Sequence, residues 1–162
     1  EFPPARQRLD LLEDALQLLP LMWGPGAPPF KGAVIEAAET VCYPRPLQDH
    51  LPILVGGSGE RRTLRLVAQY ADACNLFGDA ATVARKVEVL HRHCADVGRD
   101  PGEITVSHLS SIGPDDAPDD LVGHYRQLAD AGVQTAIVNM AHLDGPDAVE
   151  AFAEVVAAFS LR

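Results

Sequence analysis

From residue 51 onward, a short apolar run followed by a segment of helical period recurs four times, and that rhythm limits the chain more than any other feature. The runs at 51–55, 73–77, 104–112 and 135–140 have the length and apolar or alternating character of strands. After the first comes a stretch, 60–70, that places Leu64, Val67, Ala68 and Ala71 on one side of a helix. After the second come Val83, Val87, Leu90, Cys94 and Val97, closed by Gly98 where a helix-terminating glycine belongs. Leu121, Tyr125 and Leu128 follow the third run, and Val149, Phe152, Val155, Val156 and Phe159 follow the fourth, opened by Pro146 near the first turn. Repeated strand–helix units predict an α/β fold, a parallel sheet with helices outside. Four units make half of the eight that close a TIM (β/α)8 barrel. They also suffice for a small open doubly wound sheet, and the pattern alone does not choose between the two.

The first 50 residues differ. Leu9, Leu12, Leu16 and Leu19 recur at helical spacing, so residues 1–24 are expected to form a helix that stops at Trp23-Gly24-Pro25. Residues 25–50 carry Pro28, Pro29, Gly32, Pro44 and Pro46 and read as an irregular connection, with room for a short strand or turn between 33 and 41. The whole of 1–162 is expected to be one domain, 51–162 supplying the four units. A formal net charge of −10 repels phosphate backbones and anionic membranes, which argues against nucleic acid or membrane as partners. No apolar run approaches the ~20 residues of a membrane span, and no signal peptide opens the sequence. Three cysteines, Cys42, Cys74 and Cys94, give neither a disulfide framework nor a zinc motif, as expected of thiols in a reducing cytoplasm. The missing initiator methionine suggests a chain that starts inside a longer protein.

The segment that carries chemistry is Leu54-Val55-Gly56-Gly57-Ser58-Gly59-Glu60-Arg61-Arg62-Thr63-Leu64. A strand runs through glycines into a helix, so backbone N–H groups and the positive end of the helix dipole converge on a position suited to phosphate or another anion. A tight turn that merely needs glycine explains the same residues. Arg61 and Arg62 favour the anion, because cations in a first helical turn oppose the dipole unless an anion offsets them; pairing with Glu60 would offset them too. The spacing is neither the dinucleotide fingerprint nor a P-loop.

Asn75 sits near the C-terminal end of its strand, where parallel βα folds carry ligand sites, although a loop-capping role suits it as well. His108, Ser110 and Asn139 are polar positions in otherwise apolar strands, and are candidates to face a ligand or to satisfy local hydrogen bonds. His91, His93 and Cys94 share a helix without the geometry of a metal site, and no nucleophile elbow or triad is present.

The segment 51–64 resembles the glycine-rich segment of the luciferase-like oxidoreductases, in the branch that uses the deazaflavin coenzyme F420. Tyr70-Ala71-Asp72-Ala73-Cys74-Asn75, Val97-Gly98-Arg99-Asp100-Pro101, Asp130-Ala131-Gly132-Val133 and Val138-Asn139 are similar to later parts of that family. Phe2-Pro3-Pro4, Arg8-Leu9, Leu12-Glu13, Ala15-Leu16 and Pro44-Arg45-Pro46-Leu47-Gln48 are similar to its middle. The order and spacing of these pieces span nearly the whole chain. The resemblance implies the C-terminal half of a (β/α)8 barrel, with a cofactor at the C-terminal ends of the strands. It implies coenzyme F420, a small organic substrate and hydride transfer; the alternatives are an FMN-dependent monooxygenase of the same family, or a non-catalytic remnant or phosphate-binding α/β module. Gly56, Gly57, Ser58, Gly59, Glu60 and Arg61 would match the segment that contacts the cofactor phosphate. Ser58 stands where this branch often has glycine. The family's usual catalytic residues belong to its first strands, so the resemblance assigns none here. The exposed inner face and edges of half a barrel invite a second copy of the chain, or cover from residues 1–50.

Overall fold

A computed structural model describes residues 2–113, 116–140, 145, 149–150 and 152–159. The helix α1 spans Ala5–Trp23 and ends at Gly24 as the sequence predicts. The connection after it contains a hairpin of two very short antiparallel strands, β1 (Phe30–Lys31) and β2 (Glu36–Ala37). Then come β3 (Leu54–Gly56), α2 (Thr63–Tyr70), β4 (Ala73–Leu76), α3 (Ala80–Val97), β5 (Thr105–Ser111), α4 (Pro118–Asp130), β6 (Thr135–Asn139) and α5 (Ala153–Ala157). The expected Pro146 at the start of the last helix lies outside the described residues.

The four strands β3-β4-β5-β6 lie in sequence order, and each neighbouring pair is parallel. Side chains alternate across a sheet, so the register sorts them into two faces. Val55, Cys74 and Val106 are in register on one face, next to Leu76; each is at most 4 % exposed and joins Leu64, Val67, Val83 and Leu90 in the core between sheet and helices. Burying leucines such as Leu64 and Leu90 stabilises by about 1.5–3 kcal/mol each. The other face carries Leu54, Leu109 and Ile137 at 53 %, 37 % and 43 % exposure. Parallel strands are normally covered on both faces; here these three side chains are open to solvent, while Asn75 and Ser107 on the same face are 7 % and 2 % exposed. Residues 1–50 do not cover those three side chains: α1 packs on the outside of α2, tied there by Arg62 to Asp10 and Glu13.

Local chemistry accounts for most boundaries. Strand β3 begins later than expected because Pro52 has no N–H for a ladder. Helix α3 is capped by Asp79, whose carboxylate accepts from Thr82 N at 2.9 Å, and ends on Gly98 at φ 71°. Arg99, just beyond it, donates to Ala71 O at 2.7 Å and Ala68 O at 3.3 Å, satisfying the last carbonyls of α2. Among the described residues no helix is long and apolar enough to cross a membrane.

The three cysteines are free. Burial pushes the Cys74 thiol up to about 11, and Cys94 is raised for the same reason. Native protein is therefore expected to present one fast thiol to a disulfide reagent, Cys42, with two more appearing only on unfolding. Rapid labelling of Cys74 or Cys94 in the folded state would contradict this.

Candidate functional site

The C-terminal ends of β3 and β4 meet beside the glycine loop. Gly57 takes φ 124°, a backbone region that side-chain-bearing residues rarely adopt, and its N–H bonds Asn75 O at 3.3 Å. A Cβ on Gly59 would come within 2.8 Å of Thr63 Oγ1, so that glycine allows the turn to pass under the helix start. Helix α2 begins three residues later than the sequence predicts. The turn before it closes through Leu64 N to Gly59 O at 3.0 Å instead of an ordinary helical bond. The N–H groups from Ser58 to Thr63, those of Ser58, Gly59, Glu60 and Arg61 included, have no protein acceptor among the described residues. Consecutive free N–H groups at a helix start form an anion-binding concavity.

The charged residues of this segment have separate destinations. Glu60 turns to α3, accepting from Lys86 at 3.2 Å and forming an ion pair with Arg85 at 3.5 Å; the Lys86 hydrogen bond holds its carboxyl below the usual range. Arg62 is engaged by Asp10 at 2.8 Å and Glu13 at 3.1 Å, so its position in the first turn is explained without a bound anion. Arg61 makes no ion pair among the described residues, and is the cation of this segment left for a ligand.

Asn75 is in register with Gly56 and Ser107 on the face without helices. It is buried, and its Oδ1 accepts from Ser107 Oγ at 3.0 Å, which leaves its side-chain N–H groups as donors. Ser107 was not evident beforehand, although its position two residues from Thr105 and Leu109 could have indicated the shared face. Asn139 pairs in register with Ser111 on this face as well.

His108 and Ser110 do not join it. They lie on the helix side, where His108 Nε2 donates to Gly78 O at 2.9 Å and Ser110 Oγ bonds Tyr125 OH at 2.9 Å. Residues of one parity share a face, and His108 has the parity of Val106, which is core. His91, His93 and Cys94 form no metal cluster, and none is found elsewhere among the described residues. An apolar cleft lined by Leu128, Val133, Val138, Phe152 and Val155 lies at the far edge of the sheet, on the helix side of β6, away from the glycine loop.

The open face of the four strands presents Leu54, Gly56, Ala73, Asn75, Thr105, Ser107, Leu109, Ser111, Thr135, Ile137 and Asn139, without a titratable side chain. Such a surface can hold and orient a ligand, but supplies no general acid or base.

Parallel strand–helix units in sequence order, β3-β4-β5-β6, are the arrangement of half a (β/α)8 barrel. Residues 3–157 match the luciferase-like monooxygenase family, and the chain belongs to that family of oxidoreductases and monooxygenases. It is 25 % identical over 156 residues to an uncharacterized protein of Mycobacterium tuberculosis, covering 96 % of this chain and 52 % of that protein. The chain thus spans about half the length of the curated relatives it matches. It superposes with a TM-score of 0.85 on an F420-dependent secondary alcohol dehydrogenase in complex with an F420-acetone adduct, at 16 % identity, over 98 % of this chain and 64 % of the dehydrogenase. The long-chain alkane monooxygenase LadA gives a TM-score of 0.76 at 13 % identity, over 97 % of this chain and 57 % of LadA. At these identities the likeness is one of fold, the barrel of the luciferase-like enzymes.

Proposed function

We propose that this chain supplies the cofactor-phosphate end of a luciferase-like oxidoreductase, that the cofactor is coenzyme F420, and that the substrate is a small organic molecule. The observation that carries the reading is the run of acceptor-free N–H groups from Ser58 to Arg61, beside an Arg61 side chain outside every ion pair of the segment. The set fits a phosphate: it consists of donors, the glycines keep Cβ atoms out of the approach, and Glu60 is turned away to Lys86. The N–H groups of Ser58, Gly59, Glu60 and Arg61 would hold the phosphate, with Asn75 offering a side-chain donor further along the strand ends. Gly56 and Gly57 shape the turn. When bound, the cofactor supplies the hydride-transfer chemistry; the residues of this chain bind and orient it.

The choice of F420 is supported by the F420-bound dehydrogenase among the similar folds. A riboflavin lyase with modified FMN, at a TM-score of 0.61 and 14 % identity, makes FMN the competing outcome. Elements outside this sequence complete the substrate side, since four strands are half of a barrel.

Titrating the purified chain with F420 and separately with FMN, followed by fluorescence, tests the reading. Saturable binding of F420, competed by inorganic phosphate, is expected. Preference for FMN would transfer the assignment to a flavin, and a folded chain that binds neither would overturn the proposal that this half holds the phosphate by itself.

A further inference from the structure

Two side chains of α3 reach the glycine loop from behind. Lys86 Nζ donates to Ser58 O at 2.8 Å and pairs with Glu60 at 3.2 Å, and only 11 % of its side chain is exposed. One helical face and two turns further on, His93 Nε2 donates to Glu60 O at 2.7 Å. Both bonds are made to carbonyls of the same loop, on alternate residues.

A trans peptide is planar, so the carbonyl of one residue and the N–H of the next point in opposite directions. Holding Ser58 O toward α3 aims the N–H of Gly59 away from α3. Holding Glu60 O toward α3 does the same for the N–H of Arg61. Those two N–H groups are among the run from Ser58 to Thr63 without a protein acceptor. Glycine-rich backbone does not keep such an orientation unaided, because glycine has the widest choice of φ and ψ. Lys86 also keeps the Glu60 carboxylate on the α3 side, where it does not repel an anion in front of the loop.

We infer that Lys86 and His93 are positioning residues for anion binding: they fix the direction of the Gly59 and Arg61 N–H groups from the far side of the loop without touching the ligand. The inference rests on the phosphate-binding reading given above. Lys86 is the stronger of the two, since its ammonium holds a backbone carbonyl and a side chain together and is partly removed from water.

The test compares wild type with Lys86→Met, Lys86→Arg and His93→Leu. Two measurements are made on each: amide hydrogen exchange at Gly57 and Leu64, and affinity for F420 and FMN. The Gly57 and Leu64 N–H groups bond Asn75 O and Gly59 O, so they report the two anchors of the loop. Lys86→Met is expected to speed exchange at both amides by about tenfold or more and to weaken the preferred cofactor by about tenfold, with the melting transition still cooperative. Lys86→Arg is expected to restore most of both. A folded Lys86→Met protein with wild-type exchange at these amides overturns the inference, as does faster exchange with unaltered affinity. If wild type binds neither cofactor while Lys86→Met still loosens the loop, the positioning stands and the phosphate reading fails. Should Lys86→Met not fold, His93→Leu, which has no donor, releases the Glu60 carbonyl alone and carries the test, with a severalfold change expected and no change overturning the inference.

Discussion

Replacing Asp14 by alanine is expected to cost this chain about 3 kcal/mol of folding stability, lowering its melting temperature by roughly 6–12 °C. Asp14 is a buried carboxylate on α1, 2 % exposed. It accepts the N–H of Ala33 at 2.9 Å and those of Val34 and Ile35 at 2.7 Å each, which makes it the organiser of the turn between β1 and β2. The turn fits the carboxylate so closely that a Cβ on Gly32 would overlap it. Removing the carboxylate leaves three partly buried backbone donors without their acceptor, and donors left unsatisfied away from water are costly. An asparagine in its place would keep one acceptor oxygen, so Asp14→Asn should fall between wild type and alanine.

The same site makes stability depend on acid. Burial by itself would raise the Asp14 carboxyl, but the bonds from Ile35, Val34 and Ala33 outweigh it and hold the group below its ordinary value. A group lowered on folding stabilises above its unfolded pKa and loses that contribution as pH falls through the folded value. Wild type should therefore lose stability on acidification below the usual aspartate range near 4. Asp14→Ala should show a shallower dependence there. Thermal melts of both proteins from neutral pH downward check the difference, and parallel curves would sink the assignment.

Gly57→Ala is the second large effect, and it falls on ligand binding. At φ 124° an alanine is strained by about 1–3 kcal/mol. The space does not forbid it, since a Cβ there would meet Thr63 Cγ2 at 3.5 Å, an ordinary contact. The strain is thus relieved by moving the loop, which turns the N–H groups of Ser58 and Gly59 and weakens the bond from Gly57 to Asn75. Affinity for the phosphate-bearing cofactor should drop about tenfold or more, while the core residues on either side of the loop, Val55 and Leu64, keep their packing. Isothermal titration of the variant against wild type reads the change. Equal affinity would show that the loop conformation is not what the ligand requires.

Much of the fold was legible because it follows from local rules. Leu64, Val67, Ala68 and Ala71 are all buried as their spacing implies, and so are Val83, Val87, Leu90 and Cys94. Gly98 ends α3 with a positive φ, as a glycine after a helical run should. The start of α2 was not legible, since residues 60–62 have helical composition but are held in a turn by Glu60 to Lys86 and Arg62 to Asp10. The hairpin at Phe30–Ala37 was also obscure: strands of two residues carry no period, and their stability comes from Asp14, 19 to 21 residues earlier.

At the site, the glycine loop stood out because a strand, glycines and a helix occur together in sequence. Lys86 and His93 did not, since a lysine and a histidine on a polar helix face look the same whether they meet water or a loop 26 to 33 residues away. By itself, then, the sequence determined the alternation of strands and helices, the apolar stripes and the glycine turn, all of which depend on neighbours within a few residues. Only the tertiary structure decided that Asn75 and Ser107 share the open face while His108 and Ser110 face the helices, and which carboxylate each arginine meets. Alternation along a strand separates odd from even residues but does not say which set the helices cover; that is settled by register between strands and by the packing of distant side chains.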